Sequence, residues 1–148
     1  MANGTPVLAK KAFGDFMAWP CDGDHRFVDG RPLFGHSKTI RGLVLAILVT
    51  SMLAPIIGLP WNVGAVIAIM AMVGDLFSSF LKRRMNLAPS TRAFGLDQVP
   101  ESLFPMLACK WLIAMTIVDI VIVVMAFLVG GVILSRLLFK LNIRDRPF

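Results

Sequence analysis

The segment of residues 74–84 places a carboxylate, hydroxyls and cations at helical spacing. Asp75, Ser79 and Lys82 recur every three or four residues, so on a helix they share one face. A carboxylate in an apolar stretch is costly and usually faces a polar interior site. Oxygen ligands suit Mg²⁺ and cations neutralise phosphate oxygens, so this face predicts a site for a magnesium-bound polyphosphate. The alternative is a helix end at which Asp75 pairs with Lys82 and the other cations reach solvent.

A second cluster of hydroxyls and cations lies in residues 35–42, with the sequence GHSKTIRG. Glycines at both ends let a ligand approach the backbone closely. Lys38 and Arg41 can bind phosphate, and Thr39 can donate a hydrogen bond. The Walker A order Gly-x-x-x-x-Gly-Lys-Ser/Thr is absent. Basic residues beside anionic lipid would explain the cluster equally well.

The acidic residues elsewhere favour turns and caps as much as ligands. The Asp-Gly pairs at 22–23 and 29–30 are typical of turns, and this segment lacks the Glu that an EF-hand requires. Asp97 precedes an apolar stretch, where it could reach the site of Asp75 or cap the next helix. Asp119 lies inside an apolar stretch, and we expect it to pair with a polar group, for which Lys110 is the candidate.

The amino-acid composition identifies the class of protein that positions these residues. Hydrophobic residues make up 57% of the 148 residues and charged residues 16%, whereas soluble domains have about 45–50% and about 25%. A soluble globule of this size could not bury so much apolar surface, which excludes a soluble enzyme and a free nucleic-acid binder. A disordered chain is excluded because disorder requires low hydrophobicity. The two cysteines, Cys21 and Cys109, form no disulfide or zinc pattern. The sequence therefore predicts an all-α integral membrane protein.

The apolar stretches divide into about four predicted membrane helices. No charged residue lies between Gly42 and Gly74, and this stretch is too long for one helix across a core of about 30 Å. A cluster of helix breakers, Pro55, Gly58 and Pro60, divides it in two. A second apolar stretch, from Leu103 to Phe139, is also too long for one membrane helix and is therefore expected to form two. We expect a single domain of residues 1–148, with a polar cytoplasmic segment 1–41 and spans at about 43–59, 63–81, 102–115 and 118–139.

The distribution of charge orients these spans. With four spans, the N-terminal segment, the loop after residue 81 and the C-terminal tail lie on one side of the membrane. Of the 15 Lys and Arg residues, only Lys110 approaches the other side. The positive-inside rule assigns the basic side to the cytoplasm. We therefore expect a multi-pass protein of the cell (inner) membrane whose active face is cytoplasmic.

Taken in their order along the chain, these motifs resemble those of the CDP-archaeol synthase family, which belongs with phosphatidate cytidylyltransferases to the membrane CTP-transferases. The resemblance extends over nearly the whole chain, and the ordered set is specific although each fragment alone is weak. The matching residues are Asn3-Gly-Thr-Pro6, Asp22-Gly23, Arg26-Phe27, Asp29-Gly30-Arg31, Gly35-His-Ser-Lys38-Thr39-Ile-Arg41-Gly42, Gly74-Asp75, Ser79-Phe80, Lys82-Arg83-Arg84, Leu96-Asp97-Gln98 and Arg144-Asp145-x-Pro147-Phe148.

The resemblance implies transfer of a cytidylyl group from CTP to a lipid phosphate, with release of pyrophosphate and with Mg²⁺ as cofactor. It implies that Asp75 and Asp97 bind the metal and act in catalysis together with Lys82. The residues it implies for substrate binding are Asn3, Lys38, Thr39, Arg41, Ser79 and Arg83. The expected partners are CTP, a membrane lipid phosphate and the bilayer, with no nucleic acid; a homo-oligomer is left open.

The sequence departs from the family pattern at two places. The family usually has five membrane helices, one of them before the Asn-x-x-Pro motif, whereas we expect four here. Family members also carry a second Asp soon after the Asp-Gln pair, but here the segment 99–101, Val-Pro-Glu, follows, and Glu101 is the candidate replacement. The resemblance does not fix the lipid, which could be an archaeal ether lipid phosphate or phosphatidic acid.

Two other classes of function stay open at this point. A small transporter or channel would place polar residues through the full depth of several spans, but the first span offers only Thr50 and Ser51. A non-catalytic assembly protein would tolerate the loss of Asp75 and Asp97. The related CDP-alcohol phosphotransferases are excluded, because their Asp-Gly-x-x-Ala-Arg signature is absent.

Overall fold

The computed structural model describes residues 19–23, 25–35, 37–87 and 95–140. Regular structure within these ranges is helical, apart from two isolated β-bridges, so the predicted all-α class is confirmed. The elements in chain order are α1 (Ile40–Leu53), a 3₁₀ helix (Ala54–Ile57), α2 (Trp61–Arg84), α3 (Gln98–Cys109) and α4 (Ile117–Lys140).

Three stretches of the described chain are long and apolar enough to cross a membrane. They are Ile40–Ile57, Trp61–Arg84 and Ile117–Leu134. The predicted spans 43–59, 63–81 and 118–139 fall on these three stretches. The chain is therefore a membrane protein.

The third predicted span, 102–115, differs from the structure. Helix α3 has 12 residues, about 18 Å at 1.5 Å per residue, which is shorter than a hydrocarbon core of about 30 Å. Pro105 lies inside this helix and has no backbone N–H to donate. Beyond Cys109 the chain turns, and Ala114 adopts a left-handed φ of 50°. Apolar length alone thus predicted a longer helix than the prolines and this turn permit.

Helices α1 and α2 form a tight antiparallel hairpin. The 3₁₀ helix begins with a proline in its first turn and ends at Gly58, whose φ of 80° suits glycine. Gly64 of α2 lies directly against this hairpin, because a Cβ there would come within 2.5 Å of the Ala54 Cβ. The helix breakers predicted from the sequence therefore do separate two helices.

Helix α3 begins in close contact with the middle of α2. A Cβ on Gly74 would overlap the carbonyl group of Pro100 and lie 2.8 Å from the Glu101 nitrogen. Further along the same interface, the Phe77 and Phe104 rings pack at a centroid distance of 5.6 Å. Helix α4 is antiparallel to α3, since Gln98 at the start of α3 lies against Gly131. Helix α4 is the least buried of the long helices, with 6% of its apolar window inside the protein, and so it presents an apolar surface to lipid.

These contacts define two ends of the bundle. At the basic end, the segment before α1, the C-terminal half of α2 and the start of α3 meet. At the opposite end lie the 54–60 turn and the 110–116 turn.

The segment before α1 folds back on itself through backbone hydrogen bonds. Pro20 forms a bridge with Thr39, and the Cys21 amide donates to the Lys38 carbonyl at 2.7 Å. The Asp22 carboxylate is buried and accepts hydrogen bonds from the amides of Phe34 (3.0 Å) and Gly35 (2.9 Å). The Asp-Gly turn predicted here is therefore held by its own Asp side chain.

A clamp joins the loop of residues 27–32 to the C-terminal end of α2. Arg31 donates to the carbonyls of Arg83 (3.2 Å) and Arg84 (2.8 Å), the last two residues of α2. Arg84 in turn forms an ion pair with Asp29 at 2.6 Å. Its guanidinium also lies 4.9 Å from the ring centroids of both Phe27 and Phe80. The basic run at the end of α2 therefore has a structural function in part.

Candidate active site

Two lysine–aspartate pairs meet at the basic end. The Lys38 ammonium lies 2.5 Å from Oδ2 of Asp75, and the Lys82 ammonium lies 2.8 Å from Oδ1 of Asp97. Their side chains are between 9% and 23% exposed, so all four charges are partly removed from water. The alternative pairing of Asp75 with Lys82 along α2 is therefore wrong. Both lysines take their carboxylate from a different element.

The first pair is positioned by the start of α1 and the middle of α2. Thr39 caps α1, since its hydroxyl accepts a hydrogen bond from the Gly42 amide at 3.2 Å. The cap fixes the backbone next to Lys38, and the bond from Cys21 fixes the Lys38 carbonyl. Asp75 faces this lysine from α2, one residue beyond the glycine on which α3 packs.

The second pair is positioned by the end of α2 and the start of α3. Asp97 occupies the N-cap position of α3, but its side chain makes no capping hydrogen bond. The side chain therefore does not provide the cap that its sequence position allowed. Its Oδ1 atom is buried and accepts no hydrogen bond within the described part of the chain, although Lys82 lies beside it. An ion pair without hydrogen-bond geometry leaves this oxygen with capacity for a further ligand.

Glu101 adds a third carboxyl beside the two pairs. It lies one helical turn after Asp97, on the part of α3 that contacts α2 at Gly74. Burial raises the pKa of Glu101 to about 8, with Asp75 and Asp97 adding to the rise and Lys38 opposing it. Burial, assisted by the two neighbouring carboxylates, therefore favours the protonated form of Glu101 at neutral pH. In the sequence, Glu101 is indicated only by its position soon after the Asp-Gln pair, where family members carry a second Asp.

The remaining predicted site residues have partners of their own. The Ser78 and Ser79 hydroxyls both donate to the Asp75 carbonyl, at 2.9 and 2.8 Å, and both side chains are buried. Arg83 is also buried and donates to the Leu87 carbonyl at 2.7 Å. Arg41 is half-buried in the first turn of α1. Asn3 lies outside the described residues.

The sequence assigns no particular role to Arg84, which lies in a basic run at the end of α2. The structure places it between two aromatic rings and an aspartate. Phe27 and Phe80 were visible in the sequence, but nothing in their spacing indicates that they meet.

The carboxylates suit a hard cation that shares its ligands with a substrate. Within the described ranges no three His, Cys, Asp or Glu side chains are grouped as a metal cluster. Mg²⁺ typically binds one or two carboxylates and takes further oxygens from substrate phosphates and water. Asp75 and Asp97, with the unsatisfied oxygen on Asp97, fit that arrangement.

Polar groups at the opposite end are engaged locally. Thr116 and Asp119 form a reciprocal cap at the start of α4: Asp119 accepts from the Thr116 amide (2.9 Å) and hydroxyl (2.7 Å), and the Asp119 amide donates back to that hydroxyl. Asp119 thus pairs with a polar group as expected, but that group is not Lys110. The Lys110 ammonium instead lies 5.4 Å from the Trp111 ring centroid.

The polar residues within α1 do not extend the charged cluster across the membrane. Ser51 donates to the Ile47 carbonyl at 2.7 Å, within its own helix. Apart from Lys110 and Asp119 at the opposite end, the charged side chains that the structure describes lie at the basic end, which does not favour an ion path.

Comparisons with known proteins agree with this architecture. A family model described as CarS-like, CDP-archaeol synthase, matches residues 60–148. The CDP-archaeol synthase of Sulfurisphaera tokodaii is 32% identical over 154 residues, which cover 100% of this chain and 89% of that protein. The CDP-archaeol synthase of Pyrobaculum arsenaticum is 35% identical over 118 residues, which cover 72% of this chain and 66% of that protein.

A solved structure described as an intramembrane enzyme for archaeal membrane lipid biosynthesis has a similar fold. The TM-score is 0.75 at 30% sequence identity, and the match covers 97% of this chain and 87% of that chain. The similarity thus includes the basic end as well as the membrane helices.

Proposed function

Because the chain belongs to the CDP-archaeol synthase family, we propose that the two lysine–aspartate pairs at its basic end form the active site. Family membership makes the chain a membrane-bound, CTP-dependent lipid cytidylyltransferase. Such an enzyme joins the cytidylyl group of CTP to a lipid phosphate and releases pyrophosphate. The single observation that supports the location is the meeting of Lys38, Asp75, Lys82 and Asp97 from separate elements.

The reaction needs position and charge more than a protein nucleophile. An oxygen of the lipid phosphate attacks the α-phosphorus of CTP, and the bond from that phosphorus to the β-phosphate oxygen breaks in line. Asp75 and Asp97 would hold the divalent cation, for which we propose Mg²⁺. When bound, Mg²⁺ supplies neutralisation of the negative charge on the phosphates.

The chain's own residues bind and orient the phosphates. Lys38 and Lys82 each lie against one of the two carboxylates and would carry positive charge to the phosphate oxygens. Arg41 would contact a phosphate from the first turn of α1. Thr39 and Ser79, which we predicted as substrate contacts, support the site through the α1 cap and the Asp75 backbone. Asn3 stays a predicted contact, and so does Arg83.

The position of the two lysine–aspartate pairs suits one substrate that comes from water and one that comes from the bilayer. CTP is soluble in water, whereas the lipid phosphate is anchored in the bilayer, so the reaction needs a site where helices reach the membrane surface. The basic end has this location, and the positive-inside rule supports a cytoplasmic face. We therefore propose that the site opens to the cytoplasm, where CTP is made.

Pyrophosphate release tests this function and the acceptor. The purified protein in detergent is incubated with CTP and Mg²⁺, with an archaeal ether-lipid phosphate, with phosphatidic acid or without lipid, and the Asp75→Asn variant is the blank. We expect release that depends on lipid and is greatest with the ether-lipid phosphate. Equal release with phosphatidic acid would overturn the preferred acceptor, and no release with any lipid would overturn the cytidylyltransferase assignment.

A further inference from the structure

We propose that Lys38 and Lys82 exchange partners when CTP binds, so that the active site takes up its divalent cation only together with the nucleotide. In the free protein each lysine holds one carboxylate. In the complex each would hold phosphate oxygens and leave Asp75 and Asp97 to the cation. This inference rests on the proposed function, because it assumes that CTP and the cation bind at the two pairs.

The first observation is that both candidate metal ligands are already paired. The ammonium groups lie 2.5 and 2.8 Å from carboxylate oxygens, so a divalent cation bound by the same carboxylates would lie close to a positive charge at each of them. Both pairs are largely shielded from water, so solvent screens their attraction less than on an open surface. A divalent cation alone must therefore compete with an ammonium group at each carboxylate.

The second observation is the balance of charge. Two lysines and two aspartates sum to zero, so a divalent cation added alone would leave an excess of two positive charges in a partly buried site. A triphosphate brings several negative charges and gives both ammonium groups a new partner. The nucleotide therefore removes the repulsion that opposes the cation, and each ligand favours the other.

The third observation is that the protein offers few alternative ligands. Over the described ranges, no group of three or more His, Cys, Asp or Glu side chains is placed to hold a metal ion. A cation bound without nucleotide would thus rely on carboxylates that lysines already hold. With nucleotide it gains phosphate oxygens as well, the arrangement that Mg²⁺ prefers.

The exchange needs no movement of helices. A lysine side chain has four flexible carbon–carbon bonds between its backbone and its ammonium group. The backbone beside Lys38 is fixed by the Thr39 cap, and Lys82 lies within α2. Rotation of the two side chains is therefore sufficient to move the positive charges from carboxylate to phosphate.

Two binding measurements on the purified full-length protein in detergent test the exchange. Binding of Mn²⁺ without nucleotide is followed by the electron paramagnetic resonance signal of the free ion. Binding of radiolabelled CTP in the presence of Mg²⁺ and absence of lipid is followed by equilibrium dialysis. The variants are Lys38→Met, Lys82→Met and, as the control at the opposite end, Lys110→Met.

The exchange predicts opposite changes in the two measurements. Each active-site variant should bind Mn²⁺ alone at least tenfold more tightly than the wild type and bind CTP at least tenfold more weakly, while Lys110→Met matches the wild type in both. Lys38→Arg and Lys82→Arg keep the charge and should keep the weak Mn²⁺ binding, which separates charge from packing or misfolding.

Two results would contradict the exchange alone, and a third would also contradict the proposed function. Wild-type protein that binds Mn²⁺ alone as tightly as the methionine variants would overturn it, and so would methionine variants that lose affinity for both ligands. Failure of the wild-type protein to bind CTP at all would overturn the proposed function and the exchange together.

Discussion

The two ends of the helix bundle use the same residue types for different purposes. At the basic end, Asp75 pairs with a lysine 37 positions away in the chain, and Asp97 pairs with Lys82 from another helix. At the opposite end, Asp119 bonds to Thr116, three residues away. The ion pairs at the basic end therefore form only when the helices have packed together, whereas the contacts at the opposite end form within a single helical turn.

This difference distinguishes a functional cluster from a structural one. A capping contact stabilises the helix in which it lies, because donor and acceptor belong to the same turn. Charges brought together from separate elements can change partners without breaking a helix. We therefore expect substitutions at the basic end to affect turnover, and those at the opposite end to affect stability alone.

The largest expected effect is that of Asp75→Asn. Loss of the charge that would hold the cation should lower turnover by at least about a hundredfold, the scale on which a charge-stabilising group at a reacting centre acts. The matched variant Asp119→Asn should keep wild-type turnover. Initial rates of CDP-lipid formation, with detergent-solubilised protein matched for amount, provide the measurement. Turnover retained in Asp75→Asn would remove the distinction between the two ends.

The next largest effect concerns Gly74, which brings α3 onto α2. A methyl group there would overlap the Pro100 carbonyl, so Gly74→Ala should displace α3 and with it Asp97. A misplacement of about 1 Å in an active site can lower the rate about a hundredfold, and we expect a loss of about tenfold or more in kcat. Gly130→Ala is the control, because a Cβ at Gly130 meets no atom within 4 Å. Equal rates in the two variants would contradict the close approach of α3.

Arg84→Met tests the clamp, which lies at the basic end but outside the lysine–aspartate pairs. This variant loses the ion pair with Asp29, the contacts with two rings and a hydrogen bond to the Pro32 carbonyl. We expect the apparent Tm in detergent to fall by several degrees, corresponding to about 1–3 kcal/mol, and turnover to fall less than in Gly74→Ala. An unchanged Tm with greatly reduced turnover would instead place Arg84 in the active site.

Glu101→Gln should change how stability depends on pH. Because the pKa of Glu101 is raised to about 8 in the folded protein, the folded state binds more protons than the unfolded state between the two pKa values. Stability of the metal-free protein should then fall as pH rises from about 5 to 9. The variant lacks this titration, so its apparent Tm should fall less over the same range. Parallel Tm profiles would show that Glu101 titrates normally.

The smallest effect should come from Asp119→Ala. The variant loses the cap at the start of α4 but keeps the rest of the bundle. We expect a drop in apparent Tm smaller than that of Arg84→Met, with unchanged turnover. A substantial loss of CDP-lipid formation would mean that the opposite end also contributes to catalysis.

The sequence predicted the helices and the residues of the cluster better than their partners. Helical spacing identified Asp75 and Lys82 on one face, yet each of them pairs with a residue from another element. Spacing reports neighbours within a helix, and it contains no information on which long-range partner competes with them. Ser79 differs from these two residues, because its partner lies within its own helix: its hydroxyl donates to the carbonyl four residues back.

The length of the third predicted span differed for a related reason. Apolar residues continue past Cys109, and hydropathy alone favours a helix there. Pro105 weakens the helix and the positive φ at Ala114 turns the chain, while Pro100 lies in close contact with α2. Hydropathy describes neither the contact with α2 at the start of α3 nor the proline and the turn that end the helix.

A structure with bound ligands would test directly whether CTP and its cation bind at the basic end, beside the two lysine–aspartate pairs. Crystals of the full-length protein grown with CTP and Mn²⁺, without lipid acceptor, would locate the cation by its anomalous scattering. We expect an anomalous peak bound by Asp75 and Asp97, with Lys38 and Lys82 moved to the triphosphate. A manganese–CTP complex bound elsewhere, with both lysine–aspartate pairs intact, would contradict it.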